Sequence, residues 1–180
     1  RKIRIDNPDF IKLCLNERLS AEISLQPIRR FDLDAVIIFS DILMIPYGLG
    51  QKVEFKKGIG PILGDLNFNV ILNSKTSDFI EKLSPIYKAI KRVKKDIKDK
   101  NLIGFVGAPW TLLMYMLNKQ SPKNNFDINK IIKNKSLMKD LILKLEDIIF
   151  LHSKEQVKAG ADVIQIFDSW AGLLPENKLS

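Results

Sequence analysis

Polar side chains follow three apolar runs of this sequence, each at the C-terminal end of its run. Asp41 closes the run 34–41, Ala-Pro-Trp-Thr follows the run 102–107, and Asp168-Ser169 follow the run 162–167. Apolar runs without polar alternation are typical of strands covered on both faces, as in parallel sheets. Catalytic side chains of α/β folds gather at the C-terminal ends of such strands. The pattern therefore predicts a site at this edge, although Asp41 could equally cap a following helix.

Helical patterns lie between the runs. Apolar spacing predicts helical turns over 9–15 and 19–25, a helix that opens at Ser84-Pro85 and runs to 97, and a short helix over 111–117. A turn is predicted at 128–132, and the longest helix over 136–159, ended by Gly160. The basic face of the helix after Ser84 is interpreted as the outer surface of a helix that covers the sheet.

Two features of the strands and loops carry further predictions. The alternating segment 52–55 predicts a small hairpin, with 68–72 as its partner. Gly104 and Gly107 interrupt the second apolar run, which predicts the close approach of a ligand or of another backbone.

Composition limits the function classes. With 46% hydrophobic and 28% charged residues, the chain is of the ordinary globular type, and no apolar run reaches the roughly 18 residues that span a bilayer. The net charge of +8 comes mostly from dispersed lysines, which favours a solvated surface over a nucleic-acid groove and would also suit an acidic small-molecule substrate. Arg29 and Arg30 are interpreted as a solvated or carboxylate-paired helix end.

Two residue types occur once. Cys14 excludes a disulfide within these residues and a cysteine-based zinc site, and fits a reducing cytosol. His152 lies on a predicted helix, away from any strand end. Both are interpreted as packed structural residues.

The order strand, helix, strand, helices, strand fits either a doubly wound sheet or a (β/α)₈ barrel. A barrel has eight strands and about 250 residues. In that case these residues are a fragment with about three of the eight strands and unpaired edges, and we expect the 180-residue chain alone to fold poorly.

Three motifs carry a family resemblance. The stretches FSDIL (39–43), GFVGAPWTL followed by MYM (104–116) and VIQIFDSWAG (163–172) resemble the uroporphyrinogen decarboxylase family, as do QPIRRFDLDA and KGIGP around the first motif. The resemblance implies a (β/α)₈ TIM barrel, of which residues 1–180 lack the N-terminal start and the C-terminal half. It also implies a cytoplasmic homodimer that uses no metal and no organic cofactor, and a fragment that is inactive alone.

The implied reaction converts the four acetate side chains of uroporphyrinogen to methyl groups, giving coproporphyrinogen for haem synthesis. The resemblance assigns catalytic roles to Asp41 and Tyr115. Residues implied in substrate binding are Arg4, Phe39, Asp41, Phe105, Tyr115, Phe167 and Ser169. Arg4 is matched to the last arginine of a binding segment whose earlier arginines are absent here. The family's active-site histidine is also absent from these residues.

Loss of CO₂ from an acetate requires an electron sink, and without a cofactor the substrate's own protonated pyrrole must serve. An ionised Asp41 that accepts pyrrole N–H hydrogen bonds would stabilise the developing cation. Tyr115 and Ser169 would bind a substrate carboxylate or orient Asp41. Two alternatives remain open, a related zinc-dependent corrinoid methyltransferase with its ligands outside these residues, and a basic nucleic-acid-binding module. Neither a nucleic acid nor a membrane is an expected partner.

Overall fold

The computed structural model describes residues 2–121 and 135–173. Three strands form a parallel sheet in the order β1, β4, β5, and two form an antiparallel hairpin. The strands are β1 (Ala35–Ile37), β2 (Val53–Lys56), β3 (Gly60–Leu63), β4 (Asn101–Gly107) and β5 (Val163–Phe167). The helices are α1 (Lys2–Asp6), α2 (Phe10–Cys14), α3 (Glu17–Arg30), α4 (Met44–Gly48), α5 (Phe68–Leu72), α6 (Thr76–Asp96), α7 (Pro109–Asn118) and α8 (Lys135–Ala159), followed by a 3₁₀ turn over Ala171–Leu173.

The prediction of an α/β fold with parallel strands is confirmed, since β1 pairs with β4 and β4 with β5 in parallel. Val36, Leu102 and Val106 point toward the helices and are buried. α3, α6 and α8 pack against this face of the sheet, and α7 packs on α8. The basic helix α6 buries its apolar stripe and turns its lysines outward, as predicted.

Strand β1 is shorter than the apolar run that predicted it. Parallel pairing continues only to the bond from the Ile38 N–H to the Ile103 carbonyl at 3.0 Å. At Phe39 the backbone turns to side-chain partners on α3 instead, so regular pairing stops two residues before Asp41.

The predicted start of α6 at Ser84-Pro85 is wrong. The helix begins at Thr76, and Pro85 lies inside it. An internal proline removes one helical hydrogen bond and costs about 3 kcal/mol in an isolated helix. Here Phe79, Leu83 and Ile86 are all buried across the proline, and this burial outweighs the lost bond.

The predicted partner of the hairpin is also wrong. The strand over Val53–Lys56 pairs with Gly60–Leu63, whereas Phe68–Leu72 is helical. The signal for that helix is Asn67, whose side chain accepts the Val70 N–H as an N-cap. Gly58 and Gly60 both have positive φ, which lets the chain reverse within three residues.

The longest helix ends as predicted, with Gly160 at φ +116° after Ala159. The turn predicted over 128–132 lies outside the described residues. No described helix is long and apolar enough to cross a bilayer.

Candidate active site

Asp41 lies just beyond the C-terminal end of β1 and is half-buried. One carboxylate oxygen accepts the Leu43 N–H at 2.8 Å, in a local turn that leads into α4. Within the described residues no hydrogen bond reaches its second oxygen. Burial raises the pKa of the Asp41 carboxyl to about 6, and the Leu43 N–H acts in the opposite direction. Asp41 therefore shapes the local turn, and its second oxygen has no hydrogen-bond partner among the described residues.

The backbone that leads to Asp41 is held by two buried serines of α3. The Ser20 hydroxyl donates to the Phe39 carbonyl at 2.7 Å, and the Phe39 N–H donates to the Ser24 hydroxyl at 2.8 Å. Ser24 in turn donates to the Ser20 carbonyl. Both polar groups of the Phe39 peptide are thus satisfied by side chains of a helix.

Phe39, Phe105 and Phe167 come together at the C-terminal ends of the three parallel strands. They line a mostly apolar cavity of about 490 Å³ that α3 and β1 complete. The rings of Phe105 and Phe167 meet edge to face, with centroids 5.6 Å apart. Apolar walls of this kind lower the local polarity around a charged group.

The peptide of Phe105 is also bound by a helix side chain. Gln156 of α8 accepts the Phe105 N–H at 3.1 Å and donates to the Phe105 carbonyl at 3.0 Å. An added Cβ on Gly104 would lie 2.4 Å from the Gln156 Oε1 atom. An added Cβ on Gly107 would meet the side chain of Leu112 at 2.8 Å.

Side chains of neighbouring helices therefore fill the space beside these two strand glycines. The prediction that a ligand or another backbone approaches them is wrong. The sequence shows that space is needed, but it does not show which group fills it.

Tyr115 lies on α7, and its ring packs against Trp170 at a centroid distance of 6.1 Å. Its hydroxyl is 3.4 Å from the Ser121 hydroxyl, a long hydrogen bond. Ser169, in the turn after β5, is exposed.

A buried threonine connects these two segments. The Thr111 hydroxyl donates to Asp168 at 2.7 Å and accepts the Trp170 N–H at 3.0 Å. The first turn of α7 is thereby tied to the turn that carries Ser169.

Arg4 is exposed on α1, and the ring of Phe10 connects it to Phe39, which precedes Asp41 by two residues. Its guanidinium lies 4.9 Å from the centroid of Phe10, and the Phe10 ring is 5.5 Å from that of Phe39. Arg4 also donates to the carbonyls of Asn7 and Pro8, which fixes α1 to the loop that follows it.

The structure thus brings together some of the predicted site residues and not others. Phe39, Phe105 and Phe167 share one cavity, and Tyr115 lies with Trp170 above the end of β5. In the described part of the chain, no hydrogen bond joins Asp41 to Tyr115 or Ser169, so neither residue orients Asp41 directly. Because β4 lies between β1 and β5, the ends of the two outer strands are separated by about 10 Å. Phe39 follows the first of these ends and Phe167 lies at the second.

His152 and Cys14 are structural residues, as predicted. His152 is buried on α8, and its Nδ1 atom shares a hydrogen bond of 2.9 Å with the Tyr87 hydroxyl. Burial lowers the pKa of His152 to about 4, so the ring is neutral near pH 7. Burial, with a smaller effect of Asp41, raises the pKa of the Cys14 thiol to about 12. A neutral buried thiol of this kind is unreactive.

The described residues contain no group of three or more His, Cys, Asp or Glu side chains that could hold a metal ion. Several basic residues on the outer helices are engaged in ion pairs. Arg92 bonds to Glu17 at 2.6 Å, Lys94 to Asp162 at 2.6 Å, and Arg29 to Glu22 at 2.8 Å. This pairing supports the interpretation of a solvated basic surface.

Comparison with known proteins decides the family. The family model described as uroporphyrinogen decarboxylase (URO-D) matches residues 1–180. The chain belongs to the uroporphyrinogen decarboxylase family. Proteins named uroporphyrinogen decarboxylase from Rickettsia bellii and Rickettsia canadensis are 40% and 41% identical to it, over 98% and 100% of this chain. The chain spans about half the length of these relatives, 52% and 54% respectively.

The fold of this uroporphyrinogen decarboxylase family member is shared with a distant solved structure. A methyltransferase from Methanosarcina mazei matches 92% of this chain and 50% of its own with a TM-score of 0.70, at 16% sequence identity. At this identity the likeness extends to the fold alone.

Sequence reasoning missed the polar residues that support the site in this family member. Ser20 and Ser24 are four positions apart on α3, so they share one helix face. Gln156 and Thr111 likewise interrupt apolar stripes of their helices. Buried polar side chains on a core-facing stripe are the signal that could have identified them, because such groups need specific hydrogen-bond partners.

Proposed function

We propose that this chain carries part of the active site of an enzyme that decarboxylates the four acetate side chains of uroporphyrinogen to give coproporphyrinogen. The observation that carries the proposal is the position of Asp41, half-buried just beyond the end of β1 and two residues after Phe39, which lines a cavity with Phe105 and Phe167. The membership of the family favours this reaction over the zinc-dependent methyltransferase and nucleic-acid alternatives.

Asp41 is the proposed catalytic carboxylate. Above pH 6 it is ionised, and its second oxygen accepts hydrogen bonds from the pyrrole N–H groups of the substrate. Protonation of a pyrrole carbon gives a cationic ring. The bond to the departing CO₂ then breaks, its electron pair enters that ring, and a proton is added at the exocyclic carbon. The ring carbon finally releases the proton that it took up, which restores the neutral pyrrole. The negative charge of Asp41 stabilises the cationic intermediate, and the low polarity of the apolar walls strengthens this effect.

The other site residues are proposed to bind the substrate periphery. The Tyr115 hydroxyl donates to a substrate carboxylate, and Tyr115 is the second proposed catalytic residue after Asp41. The Ser169 hydroxyl donates to a second substrate carboxylate. Arg4 supplies a cation for the same purpose, since guanidinium groups bind carboxylates with two parallel hydrogen bonds. Phe39, Phe105 and Phe167 contact the macrocycle.

We further propose that residues 1–180 form part of a (β/α)₈ barrel with about three of its eight strands, and that the complete enzyme is a cytoplasmic homodimer that needs no cofactor. Supporting the barrel are the parallel order β1–β4–β5 and the helices on one face of the sheet. The opposite face carries exposed apolar residues, Ile37 at 59% and Val163 at 49% exposure. Closure of a barrel buries such a face.

The test is the Asp41→Asn substitution in the full-length enzyme, with coproporphyrinogen formation as the measurement. We expect turnover to fall about 10²-fold or more, because the neutral amide cannot stabilise the cationic ring. Asp147→Asn, an exposed change on α8, is the matched control and retains wild-type turnover. Wild-type rates in the Asp41→Asn variant would refute the role of Asp41. Absence of decarboxylation in the wild type would refute the function itself.

A further inference from the structure

The hydroxyl groups of Ser20 and Ser24 both bind the peptide of Phe39. Both residues are buried on α3, at 0% and 5% exposure, and both bind the Phe39 peptide, 19 and 15 positions away in the chain. The loss of a buried hydrogen bond typically costs about 1–3 kcal/mol when a partner stays unsatisfied. Two buried serines that bind the same peptide therefore hold that peptide in a defined place.

The Phe39 peptide has no other backbone partner in the described part of the chain. The Ile38 N–H is directed at β4, so the alternation of a strand turns the Phe39 N–H and carbonyl to the opposite side, toward α3. A regular strand would offer these groups to a further neighbouring strand. Here the two serines bind the Phe39 N–H and carbonyl instead, at the point where the backbone leaves the sheet, two residues before Asp41.

We propose that Ser20 and Ser24 are positioning residues that hold the backbone of Phe39 and thereby fix the place of the Asp41 carboxylate beyond the end of β1. This inference rests on the proposed function of Asp41. The serines act through the peptide of Phe39, two residues before Asp41, and they do not contact Asp41 themselves. The Leu43 N–H anchors the other side of the same turn at 2.8 Å.

The surroundings of Asp41 support this arrangement. α2 packs against α3. The pKa of the buried Cys14 thiol of α2 is raised by the charge of Asp41 and lowered by that of Arg4, so both charges lie near it. Phe39 packs with Phe10 of α2 at a centroid distance of 5.5 Å. When a serine hydroxyl is removed, the Phe39 peptide must find a water partner, and water that enters there hydrates Asp41.

The experiment compares single variants of the full-length enzyme, Ser20→Ala and Ser24→Ala, with Ser24→Thr as the variant that keeps a hydroxyl. The control is Ser74→Ala, because the Ser74 hydroxyl also donates to a helix carbonyl, that of Ile71, at 2.8 Å. The first measurement is the titration of the Asp41 carboxyl by ¹³C NMR, assigned with Asp41→Asn. The second is the pH dependence of kcat/KM.

We expect both alanine variants to lower the pKa of Asp41 from about 6 toward its ordinary value of 3.8, and to move the acid limb of kcat/KM in the same direction. At pH 7.5 kcat/KM falls about tenfold, because a misplaced group loses its catalytic geometry. Ser24→Thr and Ser74→Ala retain the wild-type titration.

An unchanged Asp41 titration and acid limb in both alanine variants, together with a loss of stability like that of Ser74→Ala, would overturn the inference. Each serine is changed separately, so a variant that fails to fold leaves the other to decide. If the wild type does not decarboxylate uroporphyrinogen, the proposed function fails while the carboxyl titration still tests the positioning role.

Discussion

At the scale of single residues, the buried His152 and the half-buried Asp41 respond to acid in opposite ways. The pKa of His152 is lowered to about 4, so below pH 6.5 the unfolded chain takes up a proton first and stability falls. The pKa of Asp41 is raised to about 6, so the folded chain keeps a proton that the unfolded chain has lost between pH 3.8 and pH 6. The contribution of Asp41 to the free energy of unfolding therefore rises as the pH falls from about 6 to 3.8. Ionised Asp41 is therefore a cost to folding at neutral pH.

Substitution of Asp41 by asparagine should separate these two effects. At pH 7.5 we expect Asp41→Asn to raise the free energy of unfolding of the full-length enzyme by roughly 1–3 kcal/mol, because no charge is left to desolvate. Between pH 6.5 and pH 4 the variant should lose stability more steeply than the wild type, since the His152 contribution is no longer opposed. Urea unfolding across this range measures both quantities.

The control for this prediction is Asp147→Asn, an exposed position where stability and its pH dependence should match the wild type. A variant at Asp41 that is less stable at pH 7.5 and has an unchanged acid slope would contradict the assignment of a desolvated carboxylate.

At the scale of elements, helix side chains replace sheet hydrogen bonds at the ends of two strands. Ser20 and Ser24 of α3 bind the peptide of Phe39, and Gln156 of α8 binds that of Phe105. In both cases the bound residue is a wall of the cavity. The helices therefore determine where the walls lie, and Gly104 makes room for Gln156 against β4.

Gly104→Ala tests this contact. The new Cβ would lie 2.4 Å from the Gln156 Oε1 atom and 2.9 Å from the Ile164 Cδ1 atom, so we expect a loss of about 1–3 kcal/mol in the free energy of unfolding. Combination with Gln156→Ala should cost less than the sum of the two single changes, because the main clash is removed. Chemical denaturation of the four proteins gives the coupling energy.

Gly172→Ala serves as the control, since an added Cβ there meets no heavy atom within 4 Å. Strictly additive costs for Gly104→Ala and Gln156→Ala would show that Gln156 does not occupy the space beside Gly104.

At the scale of the whole molecule, the sheet is covered on one face and open on the other. Residues in register on the open face include Ile37, Ile103 and Val163, and Phe167 at its end is 40% exposed. β1 and β5 are the outer strands of the described sheet. Exposed apolar faces and strand edges favour association with other chains.

The isolated 180-residue polypeptide should therefore bind a hydrophobic dye such as ANS and self-associate. Its unfolding should be broad, because the open face contributes little to a cooperative core. Val163→Lys, at a side chain that is 49% exposed on the open face of β5, should reduce the self-association seen by analytical ultracentrifugation. Lys88→Ala, on the exposed face of α6, is the control that should leave it unchanged. A monomer with a sharp unfolding transition and no dye binding would contradict the prediction.

The sequence by itself determined the class of fold, the parallel strands and the family, because each depends on patterns that are local in the chain. Apolar runs locate strands, apolar spacing locates helices, and the motifs around Asp41, Tyr115 and Ser169 are contiguous. The start of α6 was mispredicted because the local proline rule was overridden by burial of Phe79 and Leu83, which depends on tertiary packing. The helix over 68–72 differs, because its signal, the Asn67 cap, is local and present in the sequence.

Only the tertiary structure decided how the site is supported. The partners of the Phe39 and Phe105 peptides are 15 to 51 residues away in the chain, and no local pattern pairs Ser24 with Phe39 or Gln156 with Phe105. The raised pKa of Asp41 also depends on burial, which is a property of the assembled elements. Hydrogen bonds and desolvation act through space, and the order of residues along the chain does not encode those distances directly.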